Sequence, residues 1–468
     1  MSFFNNLGQG IVSLIEAMYN LLWGDLISIP LPGGSSLGLS ILVIILIPSG
    51  IYFTIRTRFL PFRLFPEMLR VTAENRSSSG HAGSISGVQA LIVSTATRVG
   101  MGNLVGVVAA ISAGGAGAVF WMWLIALLGS STAFIEATLA QLYKEKDPLY
   151  GGYRGGPAYY LHQLFAGKKG PGKRSAIASL FALSGLICWC GISQVIGNSV
   201  SSAFRNAFHI PPLYTTVALV ALAAIIVLRK HATVKVLDLM VPVMAALYFV
   251  ITLYIIIRNA GMLPQVFARI FEEAFGLRQA VSGGIGAVIM NGANEAGSGS
   301  PPCAAAAADV SHPVKAGLLQ SLGVFIDTLV ICSCTAFIML LTPAGQLEGM
   351  EGMDLLQEAM NYHFGSFGAV FIAVILWLFS FSTFIGILFY ARSNIAYLFG
   401  DNWLSQTLYK ILALIMLFIG GLAAYTFVWD LGDLGVGLMT IFNMIALFPM
   451  AGEALEALKD YDHKKKNV

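Results

Sequence analysis

Ser94-Thr95-Ala96-Thr97-Arg98-Val99-Gly100-Met101-Gly102-Asn103 interrupts one long apolar stretch of the chain. Asn291-Gly292-Ala293-Asn294-Glu295-Ala296-Gly297-Ser298-Gly299-Ser300-Pro301-Pro302 interrupts another. Either stretch is long enough to cross a bilayer, which takes about 20 apolar residues. Glycine is costly inside a helix and proline removes a backbone donor, so both runs are expected to break their helices in mid-membrane. Unpaired backbone cannot face lipid, so a break at that depth must be wrapped by protein or line a cavity. Glycines could instead serve only to let neighbouring helices approach. Two breaks at matching places, both rich in hydroxyl and amide groups, favour the cavity.

The remainder of the chain agrees with membrane spanning. Hydrophobic residues make up 57% and charged residues 11% of the 468, and the mean hydropathy is +0.76. A soluble domain carries about 25% charged residues. We read about eleven spanning helices, at 37–57, 86–112, 118–143, 176–208, 214–228, 234–257, 280–308, 314–341, 367–398, 404–427 and 434–458. Barrel strands would alternate and be about half as long. The breaks fall in the second and the seventh segment. An odd offset reverses orientation, so the pattern predicts inverted repeats around a midplane site.

Loop charge predicts the orientation. One set of loops carries Arg56, Arg58, Arg63, Arg70 and Arg76, the basic residues of 144–174, Arg229, Lys230, Lys235, Lys315, Arg392 and the tail at 459–468. The opposite set carries only Arg205, Arg258, Arg269 and Arg278. The rich side is expected to be cytoplasmic, which puts the N-terminus outside and the C-terminus inside a bacterial or archaeal inner membrane. Apolar residues from Phe4 to Leu22 recur at helical spacing, so residues 1–30 read as an amphipathic helix lying in the interface, with no signal peptide. The net charge of +3 offers nothing to nucleic acid, and the five cysteines, all in apolar segments, make no disulfide framework.

A broken helix exposes N–H groups on one half and C=O groups on the other. The first attract a carboxylate and the second a cation. The backbone of Met101 and Gly102 is therefore a candidate carboxylate cradle, faced by Gly297–Gly299 from the other break. Ser380, Ser382 and Thr383 of the ninth segment, with the carbonyls of Ala96 and Val99, could give a hard cation its oxygens, although most such hydroxyls simply bond to their own helix. Gln194 and Asn198 share a helix face. Their amides suit either a substrate or a neighbouring helix. Intramembrane charges are expensive, so Arg98, Glu295 and Asp327 are expected to pair or to act. Glu136, near Lys144 and Lys146, reads as interfacial. The glycines of 150–157 lack a phosphate-loop spacing, which argues against nucleotide binding, and no catalytic constellation stands out, so an enzyme is not expected.

These stretches together resemble the alanine/glycine:cation symporters, also called sodium:alanine symporters. Arg98-Val99-Gly100-Met101-Gly102-Asn103 is similar to that family's R-V-G-T-G-N. Gly114-Gly115-Ala116-Gly117-Ala118-Val119-Phe120-Trp121-Met122-Trp123, Gly155-Gly156-Pro157-Ala158-Tyr159-Tyr160, Asn294-Glu295-Ala296-Gly297-Ser298-Gly299-Ser300, Ser311-His312-Pro313 and Gly323-Val324-Phe325-Ile326-Asp327-Thr328 carry the likeness further. The resemblance implies a LeuT-type fold of two five-helix inverted repeats, at 84–257 and 279–458, after one extra helix at 37–57. It implies import of a small neutral amino acid such as alanine or glycine with Na+, occasionally H+, by alternating access. No organic cofactor and a monomer are expected. Carried over by motif, Ala96, Val99, Phe379, Ser382 and Thr383 hold Na+. Thr97, Met101, Gly102, Gln194, Asn198, Gly292, Ala293, Asn294 and Gly297 bind the substrate. Before Asn294 the chain reads Met290-Asn291-Gly292-Ala293, where relatives carry an Arg and a Phe-Ser pair. That departure would widen the pocket toward a side chain the size of glutamine's. The competing reading is a membrane sensor that binds an amino acid without ion coupling.

Overall fold

The computed structural model describes residues 13, 15–30, 36–74, 84–166, 174–229, 232–275, 296–347, 350, 352–423 and 425–466. Residues 15–23 are helical and lead into a small antiparallel hairpin, β1 (Ile27–Pro30) with β2 (Ser36–Leu39), which the sequence reading did not anticipate. Then come α1 (Ile41–Arg56), α2 (Leu60–Arg63), α3 (Phe65–Glu74), α4 (Gly87–Arg98), α5 (Gly102–Gly114) and α6 (Gly117–Leu142). They are followed by α7 (Pro157–Ala166), α8 (Ala176–Phe208), α9 (Pro212–Val227), α10 (Ala232–Arg258) and α11 (Leu263–Ala274). The last group is α12 (Pro302–Ala307), α13 (Pro313–Leu340), α14 (Met353–Phe364), α15 (Ser366–Phe399), α16 (Trp403–Leu422) and α17 (Tyr425–Lys466).

Among the described residues, seven helices are long and apolar enough to cross a membrane, and α4 with α5 would make an eighth. The chain is a polytopic helical membrane protein. α1 and α9 are shorter apolar helices. Most expected boundaries hold within a few residues, as for α6, α8, α13 and α15. α17 is longer than the expected 434–458 because polar residues at both its ends stay helical: Asp433 is enclosed by neighbours, and Lys465 reaches Glu67 of α3 at 2.6 Å. The expected basic tail is thus the last part of a helix, pinned further by Arg63–Asp462 at 2.7 Å. α16 is shorter than expected, with Ala423 already extended at φ −83°, ψ 162°. Of the expected N-terminal interfacial helix, Leu22 is buried against Leu42 and Leu434 rather than turned to lipid, and Trp23 Nε1 donates to the Asp433 carbonyl at 3.1 Å.

The first break is present. α4 starts with a capping box in which the Ser86 Oγ accepts from Gln89 N, while Gln89 Oε1 accepts from Ser86 N. It ends at Val99, whose ψ of 70° leaves the helical region. α5 leaves at a bend of 51°, and its first turn, Gly102–Gly106, is wound as a π-helix. Such wide turns recur at functional sites. The second break is described only from Ala296 onward: turns run to Pro301 and the six-residue α12 follows. Gly292, Ala293, Asn294 and Glu295 lie outside the described residues. Ile85, just before α4, forms a parallel bridge with Ala308, just after α12, and Asp309 N donates to the Ile85 carbonyl at 2.9 Å. The start of one broken helix and the end of the other therefore lie side by side.

Candidate functional site

Breaking α4 leaves its last carbonyls free, and α15 comes alongside to meet them. Thr383 Oγ1 and Ser382 Oγ both donate to the Ala96 carbonyl, at 3.2 and 3.3 Å. Both also reach the Phe379 carbonyl, at 2.9 and 2.8 Å. Two hydroxyls and two carbonyls thus gather in one place with no carboxylate, a donor set of hard oxygens that suits Na+ in type, since hard cations take oxygen ligands. Gly100 makes the approach possible, because a Cβ on it would overlap Thr383 Oγ1. Ala96, Phe379, Ser382 and Thr383 are therefore brought together. Ser380 Oγ, the third hydroxyl of that run, is buried with no hydrogen-bond partner among the described residues.

Beside this cluster lies a cavity of about 90 Å³. The first break contributes Thr97, Arg98, Met101 and Gly102, and the second contributes Ser300 and Pro301. α15 supplies Thr383, Ile387 and Tyr390; α8 supplies Trp189, Ile192 and Val195; α17 supplies Gly432, Asp433 and Val436. Both breaks thus open onto one small hollow. Thr97 Oγ1 is hydrogen-bonded to the Tyr390 hydroxyl, which ties the mouth of the first break to α15.

Among the wall residues that the sequence reading missed are Trp189, Tyr390 and Asp433. Trp189 and Tyr390 sit in long stretches rich in apolar and aromatic residues, where one more aromatic gives no distinct signal. Asp433 was set just outside its span, yet it is only 9% exposed and its residue lines the cavity.

Other candidates are engaged with neighbouring helices. Gln194 Nε2 donates to Met416 Sδ at 3.1 Å and Asn198 Nδ2 to the Ala423 carbonyl at 2.7 Å, so both amides engage the α16 side. Arg98 Nη1 donates to the Gln320 carbonyl of α13 at 3.1 Å. Asp327 accepts from Asn103 Nδ2 at 2.6 Å and from Thr328 Oγ1 at 3.1 Å. It lies in the π-wound middle of α13, Phe325–Cys332. The first break is further pinned by Gly100 N on Asn103 Oδ1 at 3.0 Å and by Thr335 Oγ1 on the Asn103 carbonyl at 2.7 Å.

Glu136 departs from its expected interfacial place. It is fully buried and accepts from Gly297 N at 3.1 Å and from Asn443 Nδ2. Asn443 also donates to the Gly297 carbonyl at 2.8 Å, and its Oδ1 accepts from the Tyr160 hydroxyl. Gly297, with φ +106°, is buried and has its peptide N–H and C=O satisfied by Glu136 and Asn443. The reason for the shift is that an opened helix needs polar partners in a medium without water.

Comparison with known proteins follows the same lines. A probable sodium/glutamine symporter of Bacillus subtilis, GlnT, is 42% identical over 91% of this chain and 88% of its own length. The amino-acid carrier protein AlsT of the same organism is 42% identical over 90% and 89%. The sodium/alanine symporter AgcS of Methanococcus maripaludis is 32% identical over 97% and 98%. A manganese transporter of Eremococcus coleocola aligns over 78% of this chain and 77% of that one at 12% identity and a TM-score of 0.49, too slight a likeness to carry an argument. The model of the sodium:alanine symporter family matches residues 34–468, and the chain, a membrane transporter and not an enzyme, belongs to that family.

Proposed function

We propose that the protein imports a small neutral amino acid together with Na+ by alternating access, on a LeuT-type frame of about eleven spans. The observation that carries this reading is the cavity where both helix breaks meet the oxygen cluster. In it, an amino acid's carboxylate would lie at the start of α5. The hydrogen bonds of that turn use the amides of Gly100, Asn103, Leu104 and Val105, which among the described residues leaves those of Met101 and Gly102 for a ligand. The positive end of α5 favours an anion there. The Asp433 carboxylate would take the ammonium group. Na+ would travel as co-substrate among Ala96, Phe379, Ser382 and Thr383, with Val99 supplying a further carbonyl.

The pairing of Ile85 with Ala308 supports the inverted repeat. A helix entering on one face and its inverted counterpart leaving on that face should meet in this way. On this reading the repeats are 84–257 and 279–458, the 37–57 helix is additional, and the arginine-rich loops face the cytoplasm with the N-terminus outside.

The size of the cavity favours alanine or glycine. Glutamine is the second reading, favoured by the 42% identity to a probable sodium/glutamine symporter. Purified protein in liposomes should accumulate labelled alanine when an inward Na+ gradient is imposed, with unlabelled glycine competing. Equal uptake under a K+ or a proton gradient would overturn the sodium assignment. Competition by glutamine and not by glycine would move the substrate to the larger amide. Binding without any accumulation would favour the uncoupled sensor.

A further inference from the structure

A second cavity, of about 320 Å³, lies between the end of α1 and the last turns of α17. Arg56, Arg58, Arg63 and Lys459 stand on its wall against Glu456 and Asp462, a surplus of positive charge. Arg63 is satisfied by Asp462 at 2.7 Å, and Arg56 Nη1 reaches the Tyr52 hydroxyl at 3.1 Å. Arg58 and Lys459 form no ion pair among the described residues. Basic residues at the ends of spans are ordinary, but these two exposed side chains line a single hollow and stand there without an ion pair among the described residues.

The backbone is bent to make this place. Arg58 and Phe59 are consecutive non-glycine residues in the left-handed region, with φ 56° and 54°, a conformation L-residues avoid. The turn is closed by Phe59 N on the Thr54 carbonyl at 2.8 Å and by Arg58 N on the Ile55 carbonyl at 3.0 Å. Phe59 and Phe62 next to it are exposed, as is Ile55. Along the same edge the rings of Tyr52 and Phe448 meet at 5.6 Å, from α1 and α17 respectively. A cationic hollow therefore sits directly beside an apolar strip shared by the two helices. That combination fits an anion with a hydrocarbon attached.

We infer that the cavity holds the phosphate of an anionic phospholipid, with acyl chains along Tyr52, Ile55 and Phe448. The lipid would join the 37–57 helix to α17, the helix that also lines the transport cavity.

Native mass spectrometry of the full chain, loaded with phosphatidylglycerol or with phosphatidylcholine, tests this. The wild type should retain phosphatidylglycerol in preference to phosphatidylcholine. R58Q/K459Q should weaken that retention roughly thirtyfold, as expected for two basic residues near an anionic headgroup. The charge-keeping R58K/K459R should restore it. Equal retention of the two lipids would overturn the inference, as would unchanged retention by R58Q/K459Q or loss in both double variants. Lipid-depleted protein that takes up inorganic phosphate and shows no preference for phosphatidylglycerol would assign the hollow to free phosphate and overturn it as well.

Discussion

Gly100 and Thr383 fit each other so closely that a single added carbon on Gly100 would overlap the Thr383 hydroxyl. This contact sets the first helix break against α15, and it brings the two hydroxyls of α15 to the Ala96 carbonyl. Gly100→Ala should push Thr383 off that position. We expect the half-saturating Na+ concentration for uptake to rise at least about tenfold, which corresponds to about 1.4 kcal/mol. Thr383→Ala should do the same and Thr383→Ser should not. Unchanged Na+ dependence in Thr383→Ala would remove that residue from the site.

Asn103 and Asp327 tie the break to the π-wound turn of α13 at 2.6 Å. Asp327→Ala leaves the Asn103 amide without its charged partner, at a cost of about 1–3 kcal/mol. The variant should inactivate at a lower temperature in detergent and transport more slowly. Wild-type thermal behaviour would show that the bond contributes nothing.

Asn198 holds the end of α16 through the Ala423 carbonyl. Asn198→Ala should therefore lower thermal stability by about 1 kcal/mol while alanine's KM stays within about twofold. A large rise in KM with normal stability would return Asn198 to the substrate wall.

Asp433 is the carboxylate on the cavity wall. Asp433→Asn keeps its shape and removes its charge. Hydrogen bonds to charged groups contribute about 1.5–3 kcal/mol, so alanine's KM should rise about tenfold or more. Indistinguishable kinetics would mean that another group meets the ammonium.

Glu67, on α3, joins the end of α17 through Lys465 at 2.6 Å and Tyr461 at 2.6 Å. Burial would push its carboxyl up, but the hydrogen bonds from Lys465 and Tyr461 and the charges of Lys465 and Arg70 outweigh it and hold it below the usual range. A carboxyl lowered in the folded state contributes stability above its unfolded value of about 4.3 and loses it as pH falls through the folded value. Glu67→Gln should accordingly be less heat-stable than the wild type at pH 7. The difference should shrink below about pH 4. An equal difference at both pH values would mean that packing, not charge, is what Glu67 supplies.

Much of this was legible from residue order. The ends of α6, α8, α13 and α15 follow from apolar length alone. Ser94–Asn103 announced its break because glycine and hydroxyl residues in mid-membrane conflict with a continuous helix. Ser382 and Thr383 could be matched as oxygen donors by residue type, and the Ala96 carbonyl by its place at the break. Gln194 and Asn198 could not be placed, because an amide on a helix face suits a ligand and a neighbouring helix equally well. Glu136 was misread because its closeness along the chain to Lys144 and Lys146 hid its proximity in space to Gly297.

The sequence by itself determined that the chain spans a membrane many times, that one helix opens at Gly100, and which residue types could hold a cation. These are local properties, set by side-chain hydrophobicity and backbone freedom over a few turns. Tertiary structure decided which groups meet: Thr383 against Gly100, Asn103 on Asp327, Glu136 on Gly297, and Trp189, Tyr390 and Asp433 around one hollow. Those contacts join residues far apart along the chain, 161 positions for Glu136 and Gly297 and 224 for Asn103 and Asp327. They depend on how helices pack, because in a medium without water each opened backbone group must find its partner on another helix.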